Sequence, residues 1–136
     1  YGDRVADKKF KPEKVERTDL PTDCHQTESA TIELPAHSAP LGLVFIPSAA
    51  RWPKEWRNNL LIAYHGSWNR SEPTGYKIVR LAVDKNGQVS ETKDFITGWL
   101  KDGLTFGRPA DLKFGSDGAL YVSDDTAGVI YKVVPK

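Results

Sequence analysis

The side chains best suited to chemistry are concentrated in one loop, residues 65–75, between two runs that are predicted to be β-strands, 60–64 and 76–83. The loop carries an imidazole, an indole, a carboxamide, a guanidinium and a carboxylate. A β-hairpin needs only about two to five linking residues, and long, polar loops on a rigid sheet commonly bind ligands. The simpler interpretation is a solvated connection whose Trp68 packs back on the sheet, and the pattern alone leaves both open.

Length and charge narrow the function classes. The chain has 136 residues, with 19 basic and 18 acidic side chains and a formal net charge of +1. This length suits one domain with a hydrophobic core. The balanced charge predicts neither a nucleic-acid surface nor an anionic-membrane surface. No apolar run approaches the roughly 18 residues of a membrane span.

The N-terminal sequence gives two further expectations. It has no signal-peptide core, and the chain begins at Tyr1 and contains no Met, which is compatible with a fragment or a processed product. Cys24 is the single cysteine. It cannot form a disulfide within the chain, so it is either a reduced thiol or half of a bridge whose partner lies elsewhere.

Residues 1–35 mix both charges with Pro12 and Pro21 and show neither a helical nor a strand period. They are predicted to form an extended surface segment with a short helix near 13–17. Beyond them, short apolar runs and turn residues predict four successive antiparallel strands within residues 36–98. The strands are 41–46, 60–64, 76–83 and a more polar outer strand, 89–97, and 48–59 is predicted to be a loop or a single helical turn.

The second part of the chain, residues 99–136, repeats the first. The matching segments are 40–45 with 109–114, 61–64 with 120–123, and 78–81 with 130–133. Repeats of successive antiparallel strands are typical of β-propeller blades. The fold is therefore predicted to be all-β, with about two four-stranded blades, the second of which lacks its outer strand. The alternative is a plain meander whose strands are alike in composition.

A propeller blade places certain loops together. The loop that enters the innermost strand and the loop between the second and third strands lie at the same end of the ring. Here those loops are 35–40, 65–75, 98–109 and 124–128. Because polar side chains that converge in this way are typical of ligand sites, a site is predicted at that end. The side chains gathered there are His37, His65, Trp68, Asn69, Arg70, Arg108, Asp124 and Asp125.

Some of these residues have simpler interpretations. A metal site at His25, His37 and His65 is disfavoured, because no H-x-H or i, i+4 spacing links them. Asp124 and Asp125 resemble the paired carboxylates of a sugar-hydrolysing site, but capping of the following turn is favoured.

Other short patterns are expected to be structural or to arise by chance. Residues 69–71 fit a glycosylation sequon, which is a short match with a high chance frequency. The residues with expected structural roles are Trp52, Trp56 and Trp99, packed between or beneath the blades, and Gly75 and Gly107, at backbone corners.

Several segments carry a resemblance to a known family. They are YGDR at 1–4, PAHSAPLG at 35–42, HGSWNR at 65–70, TGYK at 74–77, FGRP at 106–109 and SDD at 123–125. In this order they closely resemble the C-terminal third of the glucose/sorbosone dehydrogenase family, which comprises quinoproteins similar to L-sorbosone and pyranose dehydrogenases. The resemblance covers nearly the whole chain and implies a six-bladed propeller. It also implies a cysteine upstream of Tyr1 that would pair with Cys24.

The resemblance implies a pyrroloquinoline quinone cofactor at the rim, with oxidation of a sugar or aldose by hydride transfer to it. The implied calcium loop and general base lie in earlier blades, so no metal ligand or catalytic residue is assigned here. A planar tricarboxylate suits guanidinium groups, which bind carboxylates in bidentate geometry, as well as an indole face and amide or imidazole donors. The implied cofactor-binding residues are Arg108, His65, Trp68, Asn69, Arg70 and His37.

The leading function is therefore part of a periplasmic or secreted quinoprotein sugar dehydrogenase, with a cytochrome or a quinone as electron acceptor. The chain alone is expected to be inactive, because a propeller usually takes four or more blades to close. Open sheet edges favour self-association, and three two-bladed copies would give a six-bladed ring. The alternative is a non-catalytic propeller fragment that binds a protein or carbohydrate partner.

Overall fold

The computed structural model describes residues 29–49 and 51–135. The chain divides into two compact units, Tyr1–Glu33 and Leu34–Lys136, and the described strands all belong to the second. The short helix expected near 13–17, Cys24 and His25 lie outside the described residues. Those predictions, and that of an extended segment over 1–35, stay predictions.

Two large antiparallel sheets and one small hairpin make up the described part of the second unit. In chain order the strands are β1 (Pro40–Phe45), β2 (Leu60–Tyr64), β3 (Lys77–Val83), β4 (Val89–Ile96), β5 (Leu100–Lys101), β6 (Leu104–Thr105), β7 (Pro109–Phe114), β8 (Leu120–Asp124) and β9 (Val129–Val133). The first sheet has the order β1-β2-β3-β4, and the second has the order β7-β8-β9. A short 3-10 helix, Lys54–Trp56, is the helical turn expected between β1 and β2. The predicted all-β fold is confirmed.

The hairpin of β5 and β6 lies in a segment that was predicted to be a loop. Its tight turn is made by Asp102 and Gly103, which have φ values of 52° and 76°. Positive φ at both central residues is typical of a type I′ hairpin turn, for which Asp-Gly is a known signal. The prediction missed the hairpin because strands of two residues leave no alternating pattern to detect.

The innermost strands of the two large sheets share an irregularity that supports the sequence repeat. The register of β1 with β2 shifts between Pro40 and Leu43, and the register of β7 with β8 shifts between Pro109 and Asp111. Each shift follows the proline that opens the strand. Both strands therefore begin with a bulge, which is the kind of feature that repeats of one structural unit retain.

The register also corrects the repeat alignment by one residue in the second strands. Leu43 pairs with Ile62, and Leu112 pairs with Val122, so Ile62 corresponds to Val122 and not to Tyr121. The cause is geometric. Stacked blades have the same orientation, so the core between them is lined by opposite faces of equivalent strands. Because side chains alternate between faces, aligning the two core-facing patterns displaces the match by one residue.

The hydrophobic core lies between the two large sheets. Its residues are apolar and almost fully buried, and each sheet contributes one face. The central members are Leu61, Ala63 and Ile78 from β2 and β3, with Leu112, Leu120 and Val122 from β7 and β8. Packing of this kind fixes the distance between the sheets, because a close-packed interior leaves no space for sliding.

Tryptophans close the core, as predicted. The ring of Trp52 is 5.7 Å from that of Phe95 on β4 and 5.9 Å from that of Phe114 on β7, so it bridges the two sheets. Trp56 packs against Phe95 at a centroid distance of 5.4 Å, and Trp99 is buried in the same core. The structural roles expected for these three indoles are confirmed.

Gly42 permits the close approach of β1 and β7. A Cβ atom at this position would lie 2.5 Å from Cα of Asp111 and 2.9 Å from the carbonyl oxygen of Ala110. Backbone atoms cannot rotate out of the way as a side chain can. A larger residue at position 42 must therefore push the two innermost strands apart.

Replacement of Gly42 by alanine is expected to lower the free energy of unfolding by about 1–3 kcal/mol, which is the usual cost of overpacking. Urea denaturation measures this change. Thr92→Ala, at an exposed position on β4 of the same sheet, is the matched control and should change stability by no more than about 0.5 kcal/mol. Equal effects of the two substitutions would contradict the proposed role of the close approach.

Candidate functional site

The predicted convergence of four loops at one end of the large sheets is confirmed, and this end is called the rim. The loops are 35–40, 65–75, 98–109 and 124–128. Loop 65–75 is joined to the first of them by a hydrogen bond from the amide of Gly66 to the carbonyl oxygen of Ser38 at 2.9 Å. It is joined to the third by Arg108 and to the fourth by contact of His65 with Asp125.

Loop 65–75 has a closed base, formed by Ser67 and Thr74, which is called the neck. The amide of Ser67 donates to the carbonyl oxygen of Thr74 at 2.9 Å, and the amide of Thr74 donates to Oγ of Ser67 at 3.1 Å. The hydroxyl of Tyr76 also donates to the carbonyl oxygen of Ser67. Beyond the neck, Trp68 is 84% exposed, so the interpretation in which this indole packs back on the sheet is wrong.

The backbone of the rim adopts several unfavourable conformations. His37, Ala39 and Tyr76 have φ values of 65°, 49° and 56°, in the left-handed region that non-glycine residues rarely enter. Gly66 and Gly75 are also left-handed, and a Cβ atom at Gly75 would lie 2.7 Å from Cα of Gly66. The predicted backbone corner at Gly75 is therefore confirmed. Strained conformations of this kind persist only where the surroundings hold them in place, and they are concentrated at binding and catalytic sites.

Arg108 reaches from the start of β7 to the rim loop of the first sheet. Its Nη1 donates to the carbonyl oxygen of Gly66 at 3.0 Å, and its Nη2 donates to the carbonyl oxygen of Ser67 at 2.9 Å and to the hydroxyl of Tyr76 at 3.0 Å. Its Cζ lies 4.8 Å from the Tyr76 ring centroid. Bidentate binding of a carboxylate by a guanidinium uses at least one terminal nitrogen, and both are engaged here. The predicted bidentate contact with a cofactor is thus in competition with contacts inside the protein.

Asp124 is a buried carboxylate that organises the second sheet's end of the rim. Its Oδ1 accepts hydrogen bonds from the amides of Arg108 and Ala127 at 2.9 and 2.8 Å, and its Oδ2 accepts one from the Tyr131 hydroxyl at 3.3 Å. Burial raises the pKa of Asp124, but these hydrogen bonds lower it by more, so the pKa lies below its ordinary value. The predicted turn-capping role is confirmed. Gly107 serves this carboxylate: a Cβ atom there would overlap Oδ2, so the requirement is space and not a backbone corner.

His65 and Asp125 are joined by a hydrogen bond between the ends of the two sheets, with Nε2 of His65 2.9 Å from Oδ1 of Asp125. The hydrogen bond from His65 is the main reason why the pKa of Asp125 lies below its ordinary value. Asp125 is largely exposed, so this contact adds little to stability. Its effect is to fix the imidazole at the base of the loop.

The remaining predicted site residues lie at the surface of the rim. Asn69 and Arg70 are exposed at the tip of loop 65–75, where Nε of Arg70 donates to the carbonyl oxygen of Glu72 at 3.3 Å. His37 is exposed on the neighbouring loop. Within residues 29–49 and 51–135, no group of three or more His, Cys, Asp or Glu side chains is arranged to hold a metal ion.

Two residues of the rim were missed by sequence reasoning. Ser67 and Tyr76 supply the neck and the surface on which Arg108 rests, but a serine in a loop and an aromatic residue at the start of a strand are common. Tyr76 directly after Gly75 in a chemically dense loop was the available signal.

In the part of the chain that the structure describes, no helix has the length and apolar character needed to cross a membrane.

Comparison with known proteins gives consistent matches. A family model described as TrAA12-like matches residues 4–136. The chain is 48% identical over 103 residues to an uncharacterized protein of Borreliella burgdorferi and 36% identical over 121 residues to a pyrroloquinoline quinone-dependent pyranose dehydrogenase of Coprinopsis cinerea. Each alignment covers 74% of this chain, with 27% of the first relative and 16% of the second.

Solved structures also resemble the chain. The holo form of the PQQ domain of pyranose dehydrogenase from Coprinopsis cinerea has a TM-score of 0.62 and 30% identity, over 78% of this chain and 29% of that one. A calcium structure of a Trichoderma reesei carbohydrate-active enzyme of family AA12 has a TM-score of 0.62 and 26% identity, over 79% and 27%. The chain thus spans less than a third of the length of these relatives. The assignment of the sheets as propeller blades is confirmed, whereas nothing in these matches singles out a glucose or sorbosone dehydrogenase.

The hydrogen bond between His65 and Asp125 predicts a specific change in the titration of Asp125. Replacing His65 with leucine is expected to raise the pKa of Asp125 towards its ordinary value, because the hydrogen bond that lowers it is lost. Carboxyl-carbon NMR measures the pKa. Asp117, whose pKa is lowered to about 2 chiefly by its hydrogen bond with Lys132, is the internal control and should not change.

The same shift has a direction in pH. Since the pKa of Asp125 is lower in the folded state, its contribution to stability is present above the unfolded pKa of about 3.9 and is lost as pH falls through the folded value. An Asp125 pKa that stays unchanged in the His65 variant would contradict the role of this hydrogen bond.

Proposed function

The chain belongs to the TrAA12-like family, and from this we propose that it is part of a quinoprotein oxidoreductase that oxidises a sugar or aldose with pyrroloquinoline quinone. In this proposal the rim supplies part of the cofactor-binding surface. The observation that supports it most is the exposed Trp68 beyond a hydrogen-bonded neck. An indole in that position offers a flat apolar face for a ring system.

The side chains of the rim suit a planar tricarboxylate in their chemistry. Trp68 offers a stacking face, Arg70 a cation and Asn69 an amide donor. His65 has one ring nitrogen in addition to the one that contacts Asp125. When bound, the quinone would supply a hydride acceptor for oxidation of the sugar.

Arg108 and His37 complete the proposed set in different ways. His37 is exposed on loop 35–40, beside the rim loop. Arg108 contributes by holding the loop that carries Trp68, because its terminal nitrogens contact protein oxygens of that loop and its exit. We place the calcium ligands in blades outside these two.

The proposal requires further blades. Leu41, Leu43 and Phe45 on β1 are each more than half exposed, and β9 pairs with β8 at the end of the second sheet. Exposed apolar rows and open strand edges are typical of interfaces. We place neighbouring blades against the two blades 36–98 and 99–136, and the general base in those neighbours, so the chain alone is expected to bind without turnover.

Three finer points come from the sequence resemblance. They are a substrate of the glucose, sorbosone or pyranose type, a cytochrome or a quinone as electron acceptor, and a periplasmic or secreted location. A second function has support from the same indole: an exposed aromatic face also suits carbohydrate binding without catalysis. In that case the chain is a non-catalytic propeller fragment with a carbohydrate or protein partner.

Replacement of Trp68 by alanine is expected to weaken the binding of pyrroloquinoline quinone about tenfold, because the stacking face for the ring system is lost. A tenfold change corresponds to about 1.4 kcal/mol. The wild-type chain is titrated with the quinone in the presence of calcium, and the shift of cofactor absorption gives the dissociation constant. Phe45→Ala removes an aromatic ring that is 52% exposed on β1 and is the matched control, with no expected effect.

The outcomes separate the two functions. Binding that depends on Trp68, without dye reduction in the presence of aldoses, supports a segment of an enzyme. The absence of any binding by the wild-type chain would reject the proposal in favour of the non-catalytic fragment.

A further inference from the structure

We propose that Arg108 is a positioning residue, which holds the rim loop in its binding conformation from the neighbouring sheet and does not itself bind the ligand in bidentate fashion. This inference rests on the proposed function for the identity of the ligand. The role of Arg108 in ordering the loop is independent of that function, and the experiment below tests the two separately.

The guanidinium of Arg108 is occupied by contacts with the protein itself. Its terminal nitrogens make three hydrogen bonds to two carbonyl oxygens and one hydroxyl of the loop and its exit, at 2.9 to 3.0 Å. Gly66 and Ser67 are consecutive residues, and consecutive carbonyls of an extended strand point in opposite directions. Their shared contact with one side chain therefore requires the non-extended backbone that begins at Gly66, where φ is 100°.

The backbone of Arg108 is itself anchored in the second sheet. Its amide donates to the buried carboxylate of Asp124 at 2.9 Å, and the following Pro109 is buried and opens β7. The preceding Gly107 fits only because it has no side chain. Arg108 thus extends from an anchored point on the second sheet, and its hydrogen bonds to Gly66 and Ser67 tie the loop to that point.

The contacts of Arg108 with Tyr76 also hold a strained backbone conformation in place. Tyr76, with a φ of 56°, is a buried non-glycine residue in the left-handed region, and it receives both a hydrogen bond and the stacked guanidinium from Arg108. Without those contacts, the left-handed backbone at Tyr76 is expected to relax to a more favourable conformation. Relaxation would open the neck and reorient Trp68, and ordering the loop again would then reduce the affinity for a ligand.

The experiment measures loop order and ligand binding in the same 136-residue chain. In Arg108→Ala, hydrogen exchange of the amides of Ser67 and Thr74 is expected to accelerate at least about tenfold, since these amides close the neck. Trypsin cleavage after Arg70 should accelerate in parallel. The affinity for pyrroloquinoline quinone with calcium should fall, and millimolar methylguanidinium should restore both slow exchange and affinity in part.

Two further variants keep the test decisive if Arg108→Ala does not fold. Arg108→Lys retains the charge but cannot contact three oxygens with planar geometry, so it should show an intermediate acceleration. Tyr76→Phe removes one acceptor for Arg108 and one donor to Ser67. It should accelerate hydrogen exchange of the same two amides. Arg51→Ala removes an exposed arginine that lies near Gly118 and outside the four rim loops, and it is the matched control, with unchanged exchange at the neck.

The results distinguish this inference from the proposed function. Neck amides that stay protected in Arg108→Ala while quinone affinity falls more than about tenfold would overturn the inference, because Arg108 would then contact the ligand directly. Unchanged exchange and unchanged affinity would also overturn it. If the wild-type chain binds no quinone but exchange at the neck accelerates, the inference stands and the proposed function fails.

Discussion

The order of the rim depends on one side chain that spans two sheets. Arg108 is anchored by its amide to the buried carboxylate of Asp124 on the second sheet, and its guanidinium ends on carbonyl oxygens of Gly66 and Ser67 in the first. Hydrogen bonds that involve a charged group contribute about 1.5–3 kcal/mol each. They are also directional, so they set the orientation of the loop as well as its distance from β7. Apolar contacts are non-directional and set only the distance.

The core and the rim therefore determine different properties. In the core, Leu61 and Leu120 are fully buried, and the absence of a side chain at Gly42 brings the innermost strands together. This packing gives a rigid frame but no polar surface. At the rim, the backbone leaves ordinary strand geometry at Ala39 and Tyr76, and such strain is tolerated because the frame beneath it is rigid. The conformation of the loop is thus maintained by the stability of the sheets.

Much of the frame was predictable from sequence, and much of the site was not. Strands, the packing of Trp52 and the meeting of the loops follow from apolar runs and blade topology, which are local or repeated patterns. The direction of a side chain at a strand end is neither. From sequence, Arg108 is equally able to face a ligand or the loop, and the outcome depends on where the carbonyls of Gly66 and Ser67 point. The one-residue error that matched Ile62 with Tyr121 has a similar origin, because sequence similarity reports apolar character and not the face on which it lies.

In the proposed function, the groups that bind the cofactor and the groups needed for turnover lie in different blades. A stacking face, a cation and an amide donor all lie on one loop whose order is set by contacts within the two blades. In the proposed function, oxidation of the sugar would also need a base and a cation, and the described residues offer no cluster for that cation. The chain spans less than a third of the length of its solved relatives. In the proposed function, cofactor affinity is expected to follow contacts such as those of Arg108, and turnover would depend on atoms from neighbouring blades, against which we place the exposed Leu43 and Phe45.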